Sequence, residues 1–442
     1  MTRKRLLLCA VVGATMCLTN ASAQDNSNLI NVIPNLYGPD GLTLPNPFHQ
    51  AHFSGSSLEN FTPLNSALAS QLILLPSSSP ASGFTYNFDQ SLGVWTLSTQ
   101  NFGPILTERA ETIGRHKFFV GFSYQYFDFD SIDGIDLKNI PSVFTHETDT
   151  GPGGVPEPYE DDYITTKNSV SLKLNQYTTF FTFGLTKNVD VSVALPILNV
   201  RLSMNSDATI HRIQEEYLGC GGPGVLGVCH YFDPNDRAGS IEKNFPGSGT
   251  ASGLGDVTIR AKGTVWKGER GAFALAADLR TPTGDENNFL GAGAVGFKPF
   301  AAFSYHFKRV SPEFNVGYQW NGSSVLAGDV RTGLKRRLPS QFFYAVGASV
   351  GATKHVSFAF DLLSQRVIDG ERLSLGTYTD VLDQTSPTTT VRTASYNITN
   401  GSAGIRISPV DKLLFTLNVL FKLDDGGLRA NVVPLAGVSY TF

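Results

Sequence analysis

Apolar and polar residues alternate over most of the carboxy-terminal part of the chain, and its last segment is the clearest example. From Val432 to Phe442 every second residue is apolar. A period of two predicts a β-strand, because successive side chains point to opposite faces. A strand with one continuous apolar face and small or polar residues on the other is typical of a β-barrel in a lipid bilayer.

Twelve segments with this alternation, each bounded by turn residues, predict twelve strands. They cover 117–127, 170–184, 189–204, 254–266, 271–282, 297–308, 312–320, 341–351, 355–364, 394–407, 411–423 and 430–442. Tight links alternate with long ones, at 128–169, 205–253, 283–296, 321–340 and 365–393, and a shorter one at 424–429. We therefore expect an all-β fold: a transmembrane antiparallel β-barrel of about 12 strands (12–14), with short periplasmic turns and long extracellular loops.

The same alternation assigns the polar side chains of the strands to the inner face. Large apolar residues form the predicted lipid-facing set, so the polar residues between them point inward and make a somewhat basic lumen. The predicted lumen-facing residues are Arg260, Lys262, Asp278, Arg280, His306, Lys308, Glu313, Gln319, Asp361, Arg406 and Lys422. For the first four of these, charge pairing or contact with the amino-terminal segment is favoured over direct solute contact. Loss of alternation near Asn400 and Gly401 predicts a β-bulge.

The first residues have the features of a secretory signal peptide. Basic residues at 3–5 precede an apolar run that ends at Leu18, and small residues follow up to Ala23, where we expect cleavage. After residue 23 no apolar run approaches the ~20 residues that a spanning helix needs, so a membrane-inserted chain must form a closed barrel. The sequence thus predicts a bacterial outer-membrane location.

Residues 24–116 lack the strand alternation of residues 117–442, so we treat them as a separate amino-terminal segment. They contain an apolar stretch at 66–75, with room for one or two helical turns, and a predicted hairpin of 84–88 with 94–98. Aromatic residues such as Trp95 and Phe102 would be exposed if this segment hung free in the periplasm. We therefore expect it to plug the barrel lumen, with a free periplasmic segment as the alternative.

Composition agrees with an exported barrel. Charged residues make up 16%, aromatic residues 11%, and 44 glycines with 23 prolines disfavour long helices. The formal charge is −4, and removal of the basic signal makes it more negative. An acidic exported chain is a poor ligand for nucleic acid, so no nucleic-acid partner is expected.

Two cysteines remain after the signal, Cys220 and Cys229, within a glycine-rich loop. In an oxidising periplasm we expect them to form a disulfide. A metal site would need further ligands, and the neighbouring sequence offers only His230, so neither a metal nor a cofactor is expected. An acidic run at 128–136 misses the spacing of a Ca²⁺ loop and favours a solvated loop instead.

The spacing of His355 and Ser357 matches the His-x-Ser pair of outer-membrane phospholipases. The serine falls on the inward face, whereas such a lipase needs its nucleophile on the lipid face. A turn histidine and a strand serine are the favoured interpretation, so we expect no enzyme activity.

The chain ends in a pattern that resembles the assembly signal of outer-membrane barrels. Gly437, Tyr440 and the terminal Phe442 match its glycine, apolar and aromatic positions, whereas Leu435 occupies the place of its usual polar residue. The resemblance implies recognition by the barrel-assembly machinery and contact with outer-membrane lipid and lipopolysaccharide.

Three segments resemble the signature of the outer-membrane family described as "putative MetA-pathway of phenol degradation". They are residues 253–262 (GLGDVTIRAK), 279–285 (LRTPTGD) and 184–196 (GLTKNVDVSVALP). More distantly, the strand pattern resembles long-chain fatty-acid transporters and aromatic-hydrocarbon channels. The resemblance covers roughly residues 100–442 and implies a channel for passive uptake of small hydrophobic or aromatic compounds. The competing hypothesis is a non-transporting surface barrel, an adhesin or structural protein whose long loops carry the function.

Overall fold

The structure is a computed structural model that describes residues 28–75 except 48, 86–89, 94–97, 102–147, and 158–442 except 308 and 411. The predicted signal peptide and Lys308 lie outside the described residues.

Twelve long strands form the main sheet, one for each strand predicted from the sequence. In chain order they are β1 (Phe118–Asp128), β2 (Tyr163–Gly184), β3 (Val189–His211), β4 (Thr258–Lys267), β5 (Gly271–Arg280), β6 (Gly296–Tyr305), β7 (Val310–Asn321), β8 (Ser340–Gly351), β9 (Val356–Thr379), β10 (Thr385–Ile407), β11 (Leu413–Lys422) and β12 (Val432–Thr441). The short links fall at one end of these strands and the long links at the other. We call these the short-turn end and the long-loop end.

Each strand pairs antiparallel with its neighbours in sequence, and the sheet closes on itself because β12 pairs with β1. The closing pair aligns Leu435 with Gln125 and Tyr440 with Val120. The prediction of a closed antiparallel barrel of 12 strands is confirmed. Closure leaves no unpaired edge at the seam between the first and last strands.

Two further strands join this sheet. Ile140–Thr145 extends the sheet beside β2, and Glu242–Leu254 pairs with the outer part of β3. The remaining short strands are Tyr86–Asp89, Val94–Leu97, Ser131–Ile132, Ile135–Asp136, Tyr217–Gly222, Val225–Gly227, Ser323–Asp329, Leu334–Arg337 and Leu428–Arg429. The 3-10 turns are Leu29–Asn31, Pro158–Asp161 and Glu286–Asn288. The pairing of Tyr86–Asp89 with Val94–Leu97 confirms the predicted hairpin within its described part.

Two strand predictions are wrong in detail. The expected long loop at 365–393 is mostly strand, because β9 and β10 continue as a paired ribbon to a turn at 380–384. This ribbon is rich in threonine and serine, so β propensity is high but the apolar alternation that marks a strand is weak. The expected bulge near Asn400 is also absent from the described pairing, which runs unbroken there. The register shift lies on β9 between Val367 and Gly370, and it faces residues 394–396 of β10.

The outer surface of the barrel is apolar. On β11 the alternate residues Phe415, Leu417, Val419 and Phe421 are all exposed, whereas Leu414 and Leu420 between them are buried. The other strands repeat this arrangement with exposed phenylalanine, leucine, valine and tryptophan. The apolar face assigned from the sequence is therefore the outward face.

Residues 28–75 pack against the inward faces of the strands at the long-loop end, where helix α1 (Ser54–Leu72) buries Phe61, Leu64 and Leu68. The helix is longer than the one or two turns expected, since it continues through Pro63. A proline inside a helix removes a backbone hydrogen bond and destabilises the helix. Tertiary packing therefore stabilises α1 over its full length. Neither α1 nor any other helix in the described residues has the length and apolar character to cross a bilayer.

Candidate functional site

Residues 102–114 form an irregular segment that lies against the inner faces of the strands near the short-turn end, and we call it the strap. A buried backbone without regular structure needs partners for its polar groups, and here side chains of the barrel supply them. The hydrogen bonds are Phe102 N to Ser357 Oγ (3.3 Å), Thr107 N to Asp361 Oδ1 (3.1 Å), Glu108 N to Asn315 Oδ1 (2.7 Å), Ala110 N to Ser304 Oγ (2.9 Å) and Ile113 N to Asp190 Oδ2 (2.8 Å). The inner polar residues of β3, β6, β7 and β9 therefore hold the strap.

Glu108 is the centre of a buried charge cluster between the strap and the wall. Its carboxylate accepts from Arg260 Nη1 and from Lys262 Nζ, the latter at 2.7 Å. Arg260 also makes two hydrogen bonds to Asp278, with Nε to Oδ1 at 2.5 Å and Nη2 to Oδ2 at 2.8 Å. Lys298 Nζ lies 3.1 Å from Asp278 Oδ2. Paired, hydrogen-bonded charges are the arrangement that makes buried ions tolerable, so this cluster positions the strap.

Arg280 does not join this cluster, although the sequence analysis grouped it with the other three charged residues. Its Nε lies 3.5 Å from Asp256 Oδ2, and its Nη2 donates to Asn321 Oδ1 at 2.9 Å. Asp256 sits where the strand pairing is interrupted between Leu254 and Thr258, and it also accepts from the backbone amides of residues 284 and 292. Arg280 thus helps to hold the loop after β5.

The other described members of the predicted lumen set lie at different heights in the barrel. Near the short-turn end, His306 Nε2 lies 2.5 Å from Glu111 Oε1, and Arg406 donates to the carbonyls of Phe102 and Gly103. Asp361 accepts from the Thr107 hydroxyl at 2.7 Å. All three residues therefore contact the strap.

Three predicted lumen residues lie away from the strap contacts described above. Glu313 is buried, and its Oε2 has no hydrogen-bond partner among the described residues. Gln319 donates to Asn321 at 3.0 Å, and Lys422 pairs with Asp425 at 2.8 Å near the long-loop end. The predicted set is therefore spread over the interior rather than gathered in one site.

Cavities lie inside the barrel beside the end of α1, and the first of them also reaches the strap. One, of about 160 Å³, is lined by Ile73, Leu106, Phe300 and Phe343 on its apolar sides and by amide and charged groups elsewhere. Others, of about 190 and 130 Å³, adjoin the Arg280 and Asp256 region. A cavity of about 150 Å³ is known to admit a benzene ring. Each of the two larger spaces is therefore large enough for a compound with one ring.

Cations lie over aromatic rings in the wall of the first cavity. The guanidinium carbon of Arg260 lies 5.0 Å from the centre of the Phe300 ring, and Lys298 Nζ lies 5.2 Å from that of Phe343. These contacts fix the rings and leave an apolar wall beside charged and amide groups. Such a lining suits a small molecule that has an apolar body and a polar substituent.

The sequence analysis missed several residues of this region, including Glu108, Glu111, Lys298 and Phe300. The run Glu108, Arg109, Ala110 and Glu111 could have indicated a contact with the inner face of the barrel. Two carboxylates placed just before the first strand of a barrel with a basic inner face are natural partners for those bases. The local pattern does not say which bases they meet, because the partners lie far away in sequence.

Cys220 and Cys229 are joined as a disulfide with Cα atoms 4.9 Å apart, in the loop between β3 and the next strand. At the other end of the chain, Phe442 is exposed, and its ring lies 6.0 Å from that of Phe118 and 4.8 Å from that of Tyr440. Gly437 pairs with Ser123 of β1. The proposed assembly residues thus belong to the seam of the barrel.

The candidate lipase pair has other partners. Ser357 Oγ accepts from the Phe102 amide, and His355 Nδ1 contacts the Ser408 carbonyl at 2.8 Å. The acidic residues at 128–136 also diverge, since Asp133 pairs with Arg372 at 2.8 Å and Asp128 with Lys173 at 3.4 Å. In the described part of the chain, neither set forms a converging site.

The family model described as "Putative MetA-pathway of phenol degradation" matches residues 154–430, well over half of the chain. The chain belongs to this family. The resemblance found in the sequence is thereby confirmed. No curated protein matches the chain.

Solved structures of outer-membrane barrels are similar to this chain at low identity. An outer membrane channel from Pseudomonas putida F1 shares 12% identity over 75% of this chain and 98% of its own, with a TM-score of 0.44. The CymD monoaromatic hydrocarbon channel shares 8% identity over 74% of this chain and 88% of its own, with a TM-score of 0.33. A Pseudomonas aeruginosa FadL homologue shares 10% identity over 74% of this chain and 89% of its own, with a TM-score of 0.30. The fold described above rests on this chain's own strand pairing.

Proposed function

We propose that this protein is an outer-membrane channel through which small hydrophobic or aromatic compounds diffuse passively. The observation that carries the proposal is a closed barrel whose interior holds ring-sized cavities beside the end of α1. Membership of a family described by phenol degradation points to aromatic solutes. The channel performs no chemistry on its solute, and it needs no cofactor.

The outer-membrane location is supported by the outward face of the barrel. Large exposed apolar patches are rare on soluble monomers, and here alternate residues are apolar and exposed on strand after strand. In lipid such a surface is favourable, and closure of the sheet lets the strands of the wall pair their backbone groups with one another. The location brings lipid and lipopolysaccharide into contact with the wall. The terminal strand with Phe442 would present the assembly signal.

We further propose that residues 24–116 act as the plug of the barrel, after removal of the signal peptide near Ala23. Two sets of contacts support this. Helix α1 packs in the main apolar cluster together with inward-facing residues such as Leu172 and Leu420. The strap is hydrogen-bonded to side chains of several strands. A solute would pass these layers by way of the cavities between them.

The test is uptake of labelled phenol, toluene, a fatty acid and a sugar into liposomes with and without the purified protein. We expect faster entry of the aromatic compounds and little change for the sugar. Phe300→Ala, which removes a cavity wall, should alter the rate for aromatics, whereas Phe303→Ala on the outer face of the same strand should not. Equal rates for every solute would favour a non-transporting surface barrel.

A further inference from the structure

We propose that His49, His52, His146 and His230 form a binding site for a divalent transition-metal ion, with Zn²⁺ as the best fit. The site would join the amino-terminal segment to two long loops of the barrel. It is separate from the cavities of the proposed channel. Its ligands come from three regions of the chain.

The four imidazoles converge. Each offers one ring nitrogen, and the four nitrogens lie within 4.8 Å of one another. His52 Nδ1 lies 2.5 Å from His146 Nε2 and 3.3 Å from His49 Nδ1. Tetrahedral Zn²⁺ with nitrogen ligands at 2.0–2.1 Å places those nitrogens roughly 3.4 Å apart. Shifts of about 1 Å, within reach of small side-chain rotations, would bring the four into that geometry.

The outward nitrogens of two ligands already have the partners that metal-bound histidines use. His230 Nδ1 lies 2.7 Å from Asp162 Oδ2, and His146 Nδ1 lies 2.6 Å from the Glu147 carbonyl. Such contacts fix the tautomer, so that Nε2 keeps its lone pair for the metal. His230 Nε2 is buried and has no hydrogen-bond partner among the described residues. A buried acceptor without a partner is costly, and a metal ion would satisfy it.

The donor set selects the class of metal. Four nitrogens and no carboxylate oxygen disfavour Ca²⁺ and Mg²⁺, which take oxygen ligands. Imidazole suits zinc, copper and nickel, and a closed set of four ligands is typical of structural zinc. Cys220 Sγ lies 3.6 Å from His49 Nε2, but a sulfur in a disulfide is no thiolate ligand. The four histidines therefore make up the site.

The expected consequence is a cross-link at the long-loop end. Asn46 Nδ2 already donates to the Cys229 carbonyl at 2.8 Å, and Glu147 N donates to the His52 carbonyl at 2.7 Å. These bonds bring the segment before α1 beside both loops. A bound metal would hold all three together.

The test is metal analysis of the full-length protein, purified in detergent, stripped with chelator and dialysed against Zn²⁺. We expect about one zinc ion per chain in the wild type and in the control His355→Ala, whose ring lies at a short turn. His146→Ala and His230→Ala should each lose it. Zinc retained by both variants, or absent from the wild type, would overturn the proposal. Heat-modifiable migration on gels shows which variants remain folded.

A second measurement keeps the proposal falsifiable if either alanine variant misfolds. Asp162→Asn preserves the size of the side chain but weakens its support of His230, so zinc affinity should fall about 10- to 100-fold with the stoichiometry unchanged. Co²⁺ in the wild type should give the intense visible absorption of a tetrahedral nitrogen site, whereas Ca²⁺ should not compete. An octahedral cobalt spectrum, or equal zinc affinity in Asp162→Asn, would contradict the site.

Discussion

The two inner layers of this barrel are held by different forces. At the long-loop end, α1 is fixed by apolar packing, where Phe61 lies 5.2 Å from the Tyr37 ring and 5.7 Å from that of Phe144. At the short-turn end, the strap also buries apolar side chains such as Ile105, but buried charges and hydrogen bonds to the wall are added to that packing, with Glu108 at their centre.

The difference predicts different mobility. Hydrogen bonds to charged groups need one geometry, whereas apolar contacts tolerate sliding and repacking. The strap should therefore stay fixed while solutes pass, and the layer that contains α1 should be the one that moves. The disulfide and the proposed metal site both lie beside this adaptable layer.

The largest effect is expected from Glu108→Ala. It leaves Arg260 and Lys262 without their shared carboxylate, and breaking a buried pair costs about 3–5 kcal/mol. Urea unfolding of the barrel in detergent, followed by gel migration, should show this loss together with increased leak of small ions in planar bilayers. The exposed Glu242→Ala is the control, with a change within about 0.5 kcal/mol. An unchanged midpoint for Glu108→Ala would mean that the strap is not held by charge.

Phe61→Ala should act on the other layer alone. Removing a buried phenylalanine costs about 3 kcal/mol or more, but the loss falls on local opening of α1 because the barrel wall keeps its contacts. Amide exchange within 54–72 should become faster, whereas urea unfolding of the barrel stays the same. The exposed Glu59→Ala in the same helix should change neither. If Phe61→Ala lowered the stability of the barrel as much as Glu108→Ala, the two layers would not differ in how they are held.

The smallest effect is expected from reducing the disulfide. Cys220 and Cys229 are nine residues apart, and closing so short a loop stabilises by about 2–3 kcal/mol, confined to the loop itself. After reduction the barrel should remain heat-modifiable, while protease cuts the loop at 220–229 faster. Free thiols in protein taken from the outer membrane would contradict the bridge.

The strands of the barrel wall could be predicted because the alternation of apolar and polar residues is a local pattern in the sequence. Alternation identified all twelve strands and their outward faces, but it missed the outer parts of β2, β3, β9 and β10 and the strand Glu242–Leu254, where regular apolar alternation is weak. The interior was less predictable, because its contacts join distant parts of the chain. No sequence pattern near Glu108 indicates that Lys262 is its ion-pair partner. The four histidines likewise come together from three distant regions of the chain.

The strands of this barrel differ greatly in length. β2, β3, β9 and β10 have 22–24 residues, whereas β4, β5 and β6 have 10. A bilayer needs only about 9–11 residues per strand. In the expected orientation, the ribbon of β2 and β3 and the ribbon of β9 and β10 therefore extend beyond the membrane on the outer side, whereas the sector of β4, β5 and β6 ends near the membrane surface. The surplus of the long strands is about 12 residues each, or roughly 40 Å of contour. The turn at 380–384 reaches the outer end of β2, where Tyr163 Oη lies 3.4 Å from Asp380 Oδ2. A large ligand approaching the cell from outside would therefore meet both ribbons before the low sector of the rim.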